Sequence, residues 1–115
     1  MKYVPVLKTT DLPEGEKKRV VVDGRELCVY HLSDGFFATD NRCTHARGAL
    51  AEGRILDDHT VECPRHGAQF AIRTGTVLSL PAFIPVRTFE VKVDDDTIFL
   101  KVDDEPSPKP FDPAV

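Results

Sequence analysis

No apolar run in the sequence approaches the ~18 residues that a membrane helix needs, and the opening Met1-Lys2-Tyr3-Val4-Pro5 is strand-like where a signal peptide would carry its apolar core. A cytoplasmic protein with no membrane attachment is expected. An excess of basic charge is missing too. Lys plus Arg number 15 against 19 Asp plus Glu, a formal net charge of -4, which excludes nucleic acid as a main partner because phosphate binding needs a basic surface. Cysteine is scarce and odd in number, three in all. Three thiols cannot close a full disulfide framework, and in a reducing compartment they are left to metal binding, redox chemistry or core packing. At 115 residues the chain can bury one modest core but has no room for a separate substrate domain. No long helical pattern, internal repeat or nucleophile with a general base beside it is found.

What is there is a series of short segments rich in Val, Ile, Phe and Tyr, broken by Gly, Asp and Pro, the pattern of an antiparallel all-β domain. Segments 3–7, 19–22, 25–31, 36–38, 60–63, 69–72, 86–93 and 97–102 are predicted strands, about eight in number. Asp23-Gly24, Ser33-Asp34-Gly35 and Asp94-Asp95-Asp96 are predicted turns between them. Between residues 41 and 80 the periodicity weakens and Cys, His, Gly and Arg gather, so this stretch is predicted to be loop-rich and to carry function. Residues 1–105 are read as a single domain. Beyond it, 106–115 contain Pro106, Pro108, Pro110 and Pro113 and are read as a disordered tail.

Within the loop-rich stretch, Cys43-Thr44-His45 is followed after 17 residues by Cys63-Pro64-Arg65-His66. Each loop thus offers one thiolate and one imidazole, a soft donor beside a borderline one, which suits iron–sulfur units or zinc. Glu52-Gly53 and Asp57-Asp58 supply turns that can bring the segment back and set the two loops side by side. Two Cys and two His also form a common structural zinc set. Ordinary zinc fingers repeat one residue type within each loop, whereas here each loop mixes the two, which suits a two-metal unit.

At these residues the chain resembles the Rieske iron–sulfur family, whose pattern is Cys-x-His, a gap of this size, then Cys-x-x-His and Gly. Phe36-Phe37-Ala38, Leu50 to Gly53, Gly67, Phe70, Thr74-Gly75 and Pro81 extend the likeness. The resemblance implies one [2Fe-2S] cluster, with Cys43 and Cys63 on one iron and His45 and His66 on the other. It also implies an all-β Rieske fold, an antiparallel β base carrying a smaller loop-rich cluster-binding subdomain at about 41–80. High-potential members have a Ser and a Tyr where this chain has Ala68 and Phe70, and a disulfide where it has Gly48 and Arg65. Two hydrogen-bond donors and one tie are therefore absent, and a potential near the low end of the Rieske range, about -150 mV, is expected. Titration of the free imidazole nitrogens should make the potential fall at alkaline pH.

These features resemble the soluble ferredoxins of multicomponent oxygenases. The implied role is one-electron transfer from an NAD(P)H-dependent flavin reductase to a terminal, aromatic-ring-hydroxylating oxygenase, in aromatic hydrocarbon catabolism. The ferredoxin itself would be a carrier, not an enzyme, and is expected to be a monomer. The alternatives are a Rieske small subunit or accessory domain of another redox enzyme such as nitrite reductase, a zinc-stabilised interaction module, and a redox sensor. Arg47 and Arg65 beside the ligating loops could steer docking onto an acidic rim, or bridge to acids of this chain. Cys28 reads as a small core residue, His31 and His59 as surface or capping groups, Pro81 as part of a loop covering the cluster, and Lys17-Lys18-Arg19 as a solvated strand edge.

Overall fold

The computed structural model of the chain describes residues 2–42, 49–57, 59–64, 67–79 and 85–102. Eleven strands run through them: β1 (Lys2–Lys8), β2 (Lys17–Val22), β3 (Arg25–Leu32), β4 (Gly35–Asp40), β5 (Arg54–Leu56), β6 (Thr60–Glu62), β7 (Gln69–Ala71), β8 (Val77–Ser79), β9 (Thr88–Phe89), β10 (Val91–Asp94) and β11 (Thr97–Val102). They form three antiparallel sheets, ordered β1-β11-β10, β2-β3-β4-β9 and β5-β6-β7-β8. Two short 3-10 turns, Thr9–Asp11 and Leu50–Glu52, are the helical elements among the described residues. The all-β expectation holds.

The turns follow from residues that tolerate left-handed backbone. Asp23 and Gly24 have φ of 52° and 81° and close the hairpin in which Val22 pairs with Arg25, as a two-residue turn matched to strand twist requires. Asp95 and Asp96, at 50° and 66°, make the corresponding turn between Asp94 and Thr97 without glycine, since Asp is among the few residues that enter this region at modest cost.

The strand count departs from the predicted eight. Residues 86–93 divide at Glu90 into β9, which pairs with β4, and β10, which pairs with β11. Strands β5 and β8, three residues each, lie within the stretch 41–80 that the sequence reading takes as loop-rich and are the two added there.

Strand β3 organises the interior. Leu27, Cys28, Val29 and Tyr30 are all fully buried, which a central strand covered on both faces allows. Leu27 and Val29 enter a cluster with Leu12, Val20, Ile98 and Leu100, shared by the sheets β1-β11-β10 and β2-β3-β4-β9. Cys28, Tyr30 and Leu32 enter a second cluster with Leu50, Val61, Cys63, Ala68 and Phe70. The base therefore puts one face of β3 beneath the loop-bearing sheet β5–β8. On the other side of the β2–β3 hairpin, the edge strand β2 exposes Lys18 and Arg19, the solvated edge that the sequence predicts.

Burial pushes the Cys28 thiol up to about 12, with the Tyr30 hydroxyl partly opposing it. An unfolded thiol ionises near pH 8.5, so between about pH 9 and 12 the unfolded chain binds fewer protons than the folded one and stability falls as pH rises. Urea unfolding from pH 7 to 11 should show the native chain losing up to about 1.4 kcal/mol per pH unit relative to Cys28→Ala. Parallel pH profiles for the two proteins would contradict it.

Candidate metal centre

The first Cys-His loop leaves the base at the end of β4. Arg42 and Ala49 form an isolated antiparallel bridge, and the Leu50 N–H donates to the Asn41 carbonyl at 2.6 Å. Residues 43–48 are thus bracketed by a two-stranded stem. Leu50 then turns into the 3-10 segment and is itself fully buried among Val61, Cys63 and Phe70. Gly53 follows with its N–H on the Leu50 carbonyl at 3.0 Å. A Cβ on Gly53 would lie 1.8 Å from the Glu62 carbonyl oxygen. The exit of the first loop therefore lies directly against the strand that leads into the second.

The second loop is the connection of the β6–β7 hairpin. Glu62 pairs with Gln69; one step further, the Cys63 N–H donates to the Ala68 carbonyl at 2.7 Å and the Gly67 N–H to the Cys63 carbonyl at 3.1 Å. Gly67, at φ 76°, makes the turn that tightens this connection. Cys63 is 1% exposed and free of any disulfide. Beside it the Glu62 carboxylate accepts from Arg54 Nη2 at 2.9 Å, so one acid of this region is neutralised by the chain's own arginine.

The sheet continues the scaffold on its far side. The Gly75 N–H donates to the Ala71 carbonyl at 2.7 Å, and the Gly75 carbonyl accepts from the Val86 N–H at 3.0 Å. Gly75, at φ 78°, would place a Cβ 2.0 Å from the Val86 oxygen. This contact fixes the chain just after residues 80–84, which include Pro81.

Of the four ligand candidates, Cys63 lies among the described residues; Cys43, His45 and His66 lie outside them. Thr44, Arg47, Gly48, Arg65 and Pro81, and the predicted tail 106–115, also lie outside. The stems of both loops meet over one buried cluster, with Leu50 and Ala68 contributed from either side and Cys28 and Tyr30 from below. The two Cys and two His that the sequence carries in the segments flanked by these stems are, by their chemistry, a donor set that suits an iron–sulfur centre with mixed ligation.

The other histidines are occupied elsewhere. His31 is half-buried, shares a 2.7 Å hydrogen bond with the Leu12 carbonyl through Nδ1, and stacks on Phe36 at 4.0 Å. It is thus an internal anchor between segments, more than the surface or capping group expected. His59 is exposed and its Nδ1 accepts from Arg73 Nη1 at 2.6 Å. Arg73 also binds the Asp34 carboxylate, holding its pKa below the ordinary carboxylate value. Cys28 is core, as the alternation predicts. Sequence reasoning missed Asn41, buried at the foot of the first loop. Its only sequence signal was its place two residues before Cys43.

Residues 2–90 match the Rieske [2Fe-2S] domain family. The chain is 38% identical over 105 residues, 91% of its length and 99% of the other's, to the 3-phenylpropionate/cinnamic acid dioxygenase ferredoxin subunit of Photorhabdus laumondii subsp. laumondii. Its structure is similar to the ferredoxin of carbazole 1,9a-dioxygenase from Nocardioides aromaticivorans IC177, with a TM-score of 0.82 and 34% identity, covering 87% of this chain and 97% of that one. It is likewise similar to a chain in a complex of reduced oxygenase and oxidized ferredoxin of carbazole 1,9a-dioxygenase, with a TM-score of 0.80, 36% identity, and 85% and 91% of the two chains covered.

Proposed function

This chain belongs to the Rieske [2Fe-2S] family, and from that premise we infer that it is the ferredoxin of a multicomponent ring-hydroxylating oxygenase, passing single electrons from a flavin-dependent reductase to a terminal oxygenase. Near-complete coverage of ferredoxin subunits at 38% and 34% identity carries this reading. The proposed ligands are Cys43 and Cys63 for one iron, His45 and His66 for the other. When bound, such a cluster supplies a one-electron couple.

The chain's own residues would hold the centre in place and set its surroundings. The Cys63–Ala68 hydrogen bond fixes the second loop as a hairpin end, and the buried apolar side chains of Leu50, Val61 and Phe70 close off the side facing the base. Electron transfer requires close approach of a partner to such a centre, and the side away from the base is the one this buried cluster leaves uncovered. A fully ligated site has no open position for substrate, so the protein acts as a carrier and not as a catalyst. Among the described residues no helix is long and apolar enough to cross a membrane; we place the protein in the cytoplasm as a monomer.

Ala68 and Phe70 are both fully buried beside Cys63 and carry no hydroxyl, which supports the low potential expected from the sequence. Reduction adds negative charge, so a new donor to a cluster sulfur raises the potential. Ala68→Ser should raise the midpoint by about 20–60 mV, the equivalent of one net hydrogen bond for a one-electron couple. An unchanged or lower midpoint in protein film voltammetry would contradict this.

The functional reading is tested by reconstitution. Iron-loaded protein is mixed with NADH and the reductase and terminal oxygenase of a 3-phenylpropionate dioxygenase, and hydroxylated product is measured. Product that depends on this protein supports the assignment. A protein that the reductase reduces but no ring-hydroxylating oxygenase reoxidises would overturn it.

A further inference from the structure

We propose that Asn41 is the positioning residue of the first ligand loop, and that it serves only as a carboxamide, because its side chain must donate to a carboxylate and accept from an amide at once. The inference rests on the reading of Cys43 and His45 as ligands. Asn41 stands where β4 ends and the loop begins, and it is 1% exposed. All of its polar groups are engaged. Its N–H donates to the Glu26 carbonyl at 3.2 Å and its carbonyl accepts from the Leu50 N–H at 2.6 Å. Its Oδ1 accepts from the Ala51 N–H at 2.9 Å, and its Nδ2 donates to Glu26 Oε1 at 3.2 Å.

These partners come from before and after the loop in sequence. Glu26 belongs to β3 of the base, whereas Leu50 and Ala51 open the 3-10 turn after the loop. One side chain therefore locks the returning end of the loop to the same base strand that anchors its departing end. The carboxamide has one workable orientation: turned over, its NH2 would face the Ala51 N–H and its oxygen the Glu26 carboxylate. Aspartate has the same shape but offers Glu26 no donor. Glu26 is in turn held by Arg19 Nε at 2.9 Å, and its pKa is lowered first by Arg19 and then by Asn41. Arg42 adds a weaker attraction. The neighbouring Arg25 and Asp40 pair with each other at 2.8 Å.

The test compares iron-loaded native protein with Asn41→Asp, Glu26→Gln and the double variant Asn41→Asp/Glu26→Gln. It measures iron loss to a chelator, amide exchange at Leu50 and Ala51, and midpoint potential. Asn41→Asp, with two carboxylates opposed and a buried donor lost, should lose iron about tenfold faster or more. It should also shift the midpoint and expose both amides. Glu26→Gln alone still accepts from Asn41 and should stay within about twofold of native. The double variant, with an amide donor now facing the carboxylate, should restore all three readouts.

Unchanged iron loss, exchange and potential in Asn41→Asp, or no recovery in the double variant, would overturn the proposal. Should Asn41→Asp not fold, Asn41→Ser gives the second reading. Loss of protection confined to Leu50 and Ala51 supports positioning, whereas equal loss across β3 makes Asn41 a plain core residue and overturns it. Native protein that binds no iron would overturn the ligand reading and this one together; iron-bound native protein with indifferent variants overturns this one alone.

Discussion

Cys63→Ser should purify with less than about one-tenth of the native iron, because serine keeps the shape of the side chain but replaces a soft sulfur donor with a hard oxygen that binds iron–sulfur units poorly. The fold of the base does not depend on that atom. Cys63 and Ala68 are joined through main-chain groups, and Cys63 occupies a buried position that serine fills with little change in volume. The base sheets should therefore keep their protection against amide exchange, while Gly67 and Ala68 exchange faster, since cluster binding and local folding of the ligating segment are one equilibrium. His66→Ala should behave alike, losing colour and loop order together. Native iron content in either variant would remove that residue from the ligand set.

The second large effect comes from two glycines that perform different tasks. Gly53 has an ordinary φ of -83°, so alanine is not excluded by its backbone; it is excluded by space, because a Cβ would sit 1.8 Å from the Glu62 oxygen. Gly75 combines a φ of 78° with a Cβ position 2.0 Å from the Val86 oxygen. Gly24, at 81° with open space around it, isolates the backbone cost. Gly24→Ala should cost about 1 kcal/mol. Gly53→Ala and Gly75→Ala, which must push a carbonyl aside, should each cost about 3–5 kcal/mol, a large share of the ~5–15 kcal/mol that holds such a domain folded. Thermal unfolding should drop by more than about 10 °C for these two and by less for Gly24→Ala. Because Gly53 abuts Glu62, the residue immediately before Cys63, Gly53→Ala should also hasten iron loss. Equal melting temperatures for all three variants would show that the close approaches do not constrain the fold.

Much of this architecture was legible because it is local. The Asp-Gly and Asp-Asp turns announce themselves by residue type, and the Cys-x-His and Cys-x-x-His motifs carry the likeness to the Rieske family. The burial of Cys28 follows from alternation along β3, which sends it to the face opposite Leu27 and Val29. What escaped was set by partners distant in sequence. Asn41 matters through Glu26 and Ala51, Gly53 through Glu62, and Gly75 through Val86; none of these pairings has a one-dimensional signature. The break at Glu90 was hidden because residues on both sides of it favour strands equally, and only the competition between β4 and β11 for partners divides them. The anchoring role of His31 escaped for the same reason, its partner Leu12 lying 19 positions away.

The central claim is that the two loops hold a [2Fe-2S] cluster between thiolates and imidazoles. It is tested most directly by iron and acid-labile sulfide analysis of protein purified without oxygen, with EPR of the dithionite-reduced sample. Two irons and two sulfides per chain, with the EPR signal of a one-electron-reduced Rieske centre, are predicted from the family's cofactor. One zinc per chain, no labile sulfide and no EPR signal would contradict it.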